Sequence, residues 1–119
     1  MNSKEPKPIG PYSQTRRVGK LVFCSGQIGV DPETSELVEG VETQTKQTLK
    51  NLEAVLASQG LALEHVVKTT VYLKNIEDFP KMNDMYATFF TANKPARATI
   101  GVADLPKGAL IEIEAIASK

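Results

Sequence analysis

The stretch that decides the fold is Ile111-Glu112-Ile113-Glu114-Ala115-Ile116-Ala117, close to the end of the chain. Side chains alternate along a strand, so this stretch predicts one apolar and one mixed face. The apolar face carries Ile111, Ile113, Ala115 and Ala117, and the mixed face carries Leu110, Glu112, Glu114 and Ile116. We expect the apolar face to pack on a helix-covered core. We also expect this closing strand to form a β-hairpin with the stretch Lys94-Pro95-Ala96-Arg97-Ala98-Thr99.

The size and charge of the chain bound its class. A length of 119 residues predicts one domain, residues 1–119, that buries roughly two thirds of its unfolded surface. Fourteen basic residues balance fourteen acidic ones, which gives no support for binding to a phosphate backbone, so no nucleic-acid partner is expected. Residues 1–8 lack the apolar core of a signal peptide, and no apolar run is long enough to span a bilayer. We therefore expect a cytoplasmic protein without a membrane partner.

The few cysteine and histidine residues restrict the chemistry. The single cysteine, Cys24, cannot form an internal disulfide and fits a reducing compartment. With only one histidine, His65, the chain has too few soft ligands for a structural zinc site and shows no signature of a nucleophile with its base. No phosphate-binding glycine motif is present either, so we expect chemistry without a metal or cofactor.

Hydrophobic periodicity predicts the order of the elements. Apolar residues at helical spacing predict helices over 41–59, ended by Gly60, and over 77–91. Alternating or apolar runs predict strands over 21–25 and 66–73, with an edge strand entered through residues 9–14 and a turn at 18–20. In the 66–73 strand we expect Val67, Thr69, Val71 and Leu73 to share one face. Together with the two last strands, these elements predict an α+β fold, a single mixed sheet with both helices on one face.

The helix-free face of this sheet is expected to be mixed in character. The 21–25 strand is apolar on both faces, which indicates that both are covered. The face without helices should carry Tyr72, Lys68, Thr99, Arg97, Glu112 and Glu114. Such a face suits neither open water nor a dry core, so we expect an interface between subunits that contains ligand sites.

Arg97 is the leading candidate for ligand binding, with a carboxylate beside it. A guanidinium offers planar, paired donors that match a carboxylate, although a structural salt bridge to Glu112 or Glu114 is the alternative. A carboxylate near a cationic site can orient a water or relay a proton, whereas alternating glutamates also occur on solvated faces. Position in the sequence does not decide between Glu112 and Glu114.

Three further polar residues have both a ligand-binding and a structural interpretation. Tyr12 follows a Gly-Pro turn and could lie at a pocket rim or simply pack. Ser25 ends a strand, where its hydroxyl could face a ligand oxygen or cap the strand. Asn83 lies among aromatic residues at helical spacing and could reach a ligand or bond a backbone carbonyl.

Several sequence blocks together resemble the RidA/YjgF family of reactive intermediate (enamine/imine) deaminases. The blocks are Ile9-Gly10-Pro11-Tyr12-Ser13-Gln14, Ser25-Gly26-Gln27-Ile28, Val67-Lys68-Thr69-Thr70-Val71, Pro95-Ala96-Arg97, Leu105-Pro106-Lys107-Gly108 and Ile111-Glu112-Ile113-Glu114-Ala115. The resemblance implies a chorismate-mutase-like fold and a homotrimer whose sheets close into a central barrel, with sites between subunits. It also implies hydrolysis of 2-imino and 2-enamino acids, released by pyridoxal-phosphate-dependent dehydratases, to 2-oxo acids and ammonia. The family needs no cofactor for this.

The resemblance also implies roles for individual residues. Arg97 matches the arginine that binds the substrate carboxylate, and Glu112 matches the acid that positions the hydrolytic water. Further pocket positions match Tyr12, Ser25, Gly26 and Asn83. Thr99 stands where many deaminases of the family have a cysteine, which leaves a hydroxyl and no thiol. The alternatives are a carboxylate-binding regulatory or interaction protein, or a translation inhibitor with ribonuclease activity, as described for relatives.

Overall fold

The structure is a computed structural model that describes residues 10–119. Ile9, predicted to lead into the first strand, lies outside this range. The regular elements are β1 (Thr15–Val18), β2 (Leu21–Ile28), α1 (Val41–Ala57), β3 (Val66–Leu73), α2 (Phe79–Phe89), β4 (Ala96–Gly101) and β5 (Ile111–Ser118). The five strands form one mixed sheet in the order β1-β2-β5-β3-β4, with both helices on one face, so the predicted fold class is confirmed.

The apolar stripes of α1 and β5 form the centre of the core. The predicted inward face of β5 is confirmed, since Ile111, Ile113, Ala115 and Ala117 are all buried. The predicted stripe of α1 is buried as well. Gly60 adopts a φ of 72°, and the Leu61 N–H donates to the Leu56 carbonyl at 2.9 Å, which is the helix-ending turn that the sequence predicts.

The predicted hairpin between the last two strands is wrong. β4 pairs in parallel with β3, whereas β5 lies between β2 and β3 and is antiparallel to both. The reason is that β3, α2 and β4 form a strand–helix–strand crossover, which brings its two strands side by side in parallel. The chain then returns to fill the gap that the β2–α1–β3 crossover leaves open.

The predicted faces of β3 are correct only after the irregularity at its first residues. The pairing of β3 with β5 shifts register between Val66 and Lys68. Because of this bulge Val66 is buried and Val67 is 47% exposed, the opposite of the prediction. From Thr69 onward the strand alternates as expected, with Thr69, Val71 and Leu73 in the core.

The helix-free face of β2 is not covered by residues 10–119 of its own chain. Val22 and Cys24 face the core, but Leu21 and Phe23 are 39% and 41% exposed. The second cover predicted for this strand is therefore not supplied by the described residues of its own chain. Within residues 10–119, neither helix has the length and apolarity needed to cross a membrane.

Candidate functional site

Arg97 lies beneath α2 and not on the helix-free face, so the predicted placement is wrong. In the parallel pairing of β3 and β4, Arg97 is the register partner of Thr69, which is fully buried on the helix side. Its guanidinium carbon lies 4.7 Å from the ring centre of Tyr86 and 5.4 Å from that of Phe79, both on α2. The crossover that overturns the hairpin therefore also moves Arg97 to the other face of the sheet.

The guanidinium of Arg97 is held by aromatic rings, without a carboxylate. Among the described residues the recorded ion pairs are Lys74–Asp104 and His65–Glu64, so the salt bridge weighed for Arg97 does not form there. A cation on a ring face gains about 0.5 to 2 kcal/mol, depending on its desolvation. The charge of Arg97 is oriented by these rings but not neutralised.

Thr99 presents an unpaired hydroxyl on the same side of the sheet. It is the register partner of the buried Val71, so it too faces the helices and not the predicted helix-free face. Its Oγ1 is buried and has no hydrogen-bond partner within residues 10–119. Leaving such a group unsatisfied costs about 1 to 3 kcal/mol, which a polar ligand atom can recover.

Asn83 belongs to this side of the molecule as well. It is four residues after Phe79 and three before Tyr86, so all three lie on one stripe of α2. The side chain is half-buried and forms no hydrogen bond with another residue of the 10–119 range. We call the set Arg97, Thr99 and Asn83 the arginine group.

Glu112 lies on the opposite face of the sheet, where Gly26 makes room for its carboxylate. Glu112 is the register partner of Tyr72 in β3 and alternates with the buried Ile111 and Ile113. A Cβ at position 26 would overlap its Oε2 and lie 2.8 Å from its carboxyl carbon. The carboxylate of Glu112 therefore packs against the β2 bulge that contains Gly26.

The surroundings of Glu112 favour its protonated form. Burial raises the pKa of Glu112, and the nearby charge of Glu114 raises it further. A carboxylate with a raised pKa is a better proton acceptor near neutrality than an ordinary one. Glu114 itself is exposed, so the structure separates the two glutamates that the sequence left equivalent.

Ser25 ties the segment before β1 to the β2 bulge. Its hydroxyl donates to the Ser13 carbonyl at 2.6 Å, and its backbone N–H donates to the Gln14 carbonyl at 2.9 Å. Because the hydroxyl proton is used, Ser25 can offer a ligand only an acceptor. Tyr12 precedes this tie and is 47% exposed. We call Ser25, Gly26 and Glu112 the glutamate group; the structure does not bring Tyr12 into contact with them.

A cavity of about 410 Å³ opens on the helix-free face beside Ser25. Arg16, Cys24, Lys68 and Glu114 are among its lining residues. Burial raises the pKa of the Cys24 thiol to about 11, which keeps it protonated at neutral pH and makes it a poor nucleophile.

Apart from Tyr12, which precedes β1, the predicted site residues thus form two groups on opposite faces of one sheet. Neither group is complete for the chemistry that the resemblance implies, because one has the cation and the other has the carboxylate. The helical spacing of the aromatic residues on α2 did not reveal that Tyr86 and Phe79 contact Arg97. The signal was present: a parallel crossover through α2 places the next strand, and its arginine, beside the helix.

The architecture defines an α+β protein with the chorismate-mutase-like fold of the YjgF proteins. A family model described as endoribonuclease L-PSP matches residues 2–119. The chain therefore belongs to this family, and the resemblance to the RidA/YjgF proteins is confirmed.

Two relatives show how the family is named. The chain is 53% identical over 117 residues to a RutC family protein of Pyrococcus abyssi, covering 98% of this chain and 92% of that one. It is 52% identical over 116 residues to a rat (Rattus norvegicus) protein named 2-iminobutanoate/2-iminopropanoate deaminase, covering 97% and 85%.

A solved structure of the same fold contains a ligand. It is Escherichia coli TdcF with bound serine, which superposes with a TM-score of 0.95 at 38% identity and covers 100% of this chain and 96% of that one.

Proposed function

We propose that the protein hydrolyses small 2-imino and 2-enamino acids, such as 2-iminobutanoate and 2-iminopropanoate, to 2-oxo acids and ammonia. The observation that carries the proposal is the Arg97 guanidinium, oriented by two aromatic rings and free of any carboxylate among the described residues. The name of the rat relative and the serine bound to TdcF support a small ligand of amino-acid type.

The arginine group binds and orients the substrate in this proposal. Arg97 holds the substrate carboxylate through two parallel N–H donors. The unpaired hydroxyl of Thr99, two residues along the strand, bonds a substrate oxygen or a water, and Asn83 closes the pocket from α2. Fixing the imine carbon in this way is an important part of the catalysis, since positioning alone can lower a barrier by several kcal/mol.

Glu112 supplies the base for the attacking water. It takes one proton as the water oxygen bonds to the imine carbon, and it returns this proton to the imine nitrogen. In the resulting carbinolamine the hydroxyl proton passes through Glu112 to the nitrogen as the C–N bond breaks, so the carbon keeps the oxygen as a carbonyl and nitrogen leaves as ammonia. The raised pKa of Glu112 suits a group that accepts and returns a proton.

We further propose a cytoplasmic homotrimer of single-domain chains, with each site formed between two protomers. Two observations support it: the arginine and glutamate groups point from opposite faces of one sheet, and Leu21 and Phe23 leave apolar surface uncovered. No metal or cofactor takes part in the proposed reaction. The physiological role would be to remove imines before they attack pyridoxal-phosphate enzymes.

The test couples the purified protein to a threonine dehydratase that releases the imino acid. With excess free-amine scavenger present, the protein should accelerate formation of 2-oxobutanoate. Arg97→Ala should lower kcat/KM by about 100-fold or more, because a charge-assisted bidentate contact is lost, and Arg97→Lys should recover only part of it. If Arg97→Ala matches the wild type, the assignment fails.

Ribonuclease activity is a second candidate, favoured by the description of the matching family model. The zero net charge of the chain weighs against it. RNA degradation that survives extensive repurification and is lost in a site variant would support it. Tight binding of a 2-oxo acid without acceleration of imine hydrolysis would instead support a regulatory, carboxylate-binding protein.

A further inference from the structure

The aromatic residues that contact Arg97 are themselves fixed in place. The Tyr86 hydroxyl and Thr69 Oγ1 are 2.7 Å apart in a buried hydrogen bond. The Phe90 ring packs against the Tyr86 ring with 4.7 Å between their centres. Because Thr69 is also the register partner of Arg97, the ring is anchored to the strand next to the one that carries the guanidinium.

This arrangement orders a cation without using up its charge. A guanidinium held by a carboxylate is already neutralised and competes poorly for another anion. A guanidinium held on ring faces keeps most of its N–H donors for an incoming group, and the side chain is ordered before binding. Burial raises the pKa of Tyr86, although the hydrogen bond with Thr69, the charge of Arg97 and a hydrogen bond with Arg97 all oppose this.

We propose that Tyr86, assisted by Phe79, is a positioning residue that holds the Arg97 guanidinium ready for a carboxylate ligand. The inference rests on the proposed function only in taking a carboxylate as the ligand of Arg97. Tyr86 does not touch the substrate in this arrangement; it acts through Arg97.

The experiment measures the Kd of 2-oxobutanoate by calorimetry together with KM and kcat for the imino acid. Tyr86→Leu, which removes the ring, should raise Kd and KM roughly 5- to 30-fold and leave kcat within about twofold. Tyr86→Phe keeps the ring and loses only the hydroxyl, so its increase should be about two- to threefold. Phe89→Leu is the matched control on α2 and should leave Kd and KM unchanged.

A double variant separates positioning from a general structural effect. In the Arg97→Ala background, Tyr86→Leu should add no further loss of affinity, because the residue through which it acts is absent. Equal losses in both backgrounds would overturn the proposal. If Tyr86→Leu does not fold, Phe79→Leu is the deciding variant, because Phe79 is only half-buried. A Kd about threefold higher supports the positioning of Arg97 by the rings, and an unchanged Kd rejects it.

A spectroscopic measurement makes this test independent of turnover. In protein labelled with ¹⁵N-arginine, the Arg97 Hε resonance should be shifted upfield by the ring currents of Tyr86 and Phe79. The resonance should move toward its random-coil position in Tyr86→Leu and stay in place in Phe89→Leu. If the Arg97 resonance is shifted but the protein has no deaminase activity, the proposed function is rejected and the positioning role of the rings stands. If the resonance is not shifted in the wild type, the positioning role itself is rejected.

Discussion

At the scale of single residues, Glu112 owes its position to the absence of a side chain at Gly26. Adding a methyl group there by Gly26→Ala would place it against the carboxylate. Because the displaced atoms are the end of a flexible side chain, we expect a stability loss of about 1 kcal/mol or less. We expect kcat/KM to fall about 100-fold, since a displacement of about 1 Å at a reacting group has effects of that size.

The matched control is the same substitution at Gly60. Gly60 has a φ of 72° and nothing within 4 Å of a Cβ, so Gly60→Ala should cost about 1 kcal/mol through backbone strain and leave kcat/KM unchanged. Urea unfolding and the coupled assay give the two quantities for each variant. Full activity in Gly26→Ala would show that the position of Glu112 is not needed.

The raised pKa of Glu112 makes a prediction about pH. If Glu112 acts as the base, kcat/KM should fall as pH drops through this pKa, because the protonated carboxyl cannot accept a proton. Glu114→Gln removes one of the causes of the shift, so the acidic limb of the profile should move to lower pH. Glu53→Gln on α1 neutralises a carboxylate elsewhere and should leave the profile unchanged.

The same pKa affects stability in a fixed direction. The folded protein binds a proton at Glu112 more readily than the unfolded chain does. Its contribution to stability is therefore fully present below the unfolded pKa and is lost as pH rises through the folded pKa. Glu112→Gln should remove this part of the pH dependence of the free energy of unfolding; an unchanged slope would contradict the assignment.

At the scale of elements, the sequence predicts the secondary structure of each segment better than it predicts which strands pair. The stripe of α1, its end at Gly60 and the two faces of β5 follow from spacing and local turn chemistry. Strand pairing depends on contacts between segments far apart in the chain, and alternation alone does not say which face meets the helices. Arg97 and Glu112 were therefore predicted as site residues, but Arg97 was placed on the wrong face.

The attachment of α1 to the end of β2 is another contact that periodicity does not reveal. The buried Asn51 amide donates to the carbonyls of Ile28 at 3.0 Å and Val30 at 2.9 Å. Asn51→Ala should destabilise the protein by about 2 to 4 kcal/mol, because two buried carbonyls lose their donors. Urea unfolding measures this loss. Gln47→Ala removes only the 2.9 Å bond that Gln47 donates to Asn51 Oδ1 and should cost about 1 kcal/mol or less. Equal stability losses in Gln47→Ala and Asn51→Ala would show that the bonds from Asn51 to the end of β2 are not important for stability.

At the scale of the whole molecule, the proposed reaction needs the arginine group and the glutamate group together, and one chain holds them apart. The side chains of Arg97 and Glu112 project from opposite faces of the same single-layered sheet. A second copy, with its glutamate group facing the arginine group of the first, would complete the pocket. A cyclic assembly repeats this contact at every interface, which is how heterologous contacts close.

This arrangement predicts that two inactive variants restore each other's activity. Arg97→Ala chains keep a functional glutamate group, and Glu112→Gln chains keep a functional arginine group. If each site takes one group from each of two neighbours, refolding an equal mixture should give about a quarter of the sites both intact groups, because each group is intact in half of the chains. The coupled assay measures the recovery, and light scattering shows whether the mixture has the mass of a trimer. Each variant refolded alone is the control and should stay inactive; a mixed trimer without recovered activity would place both groups of a site in the same chain.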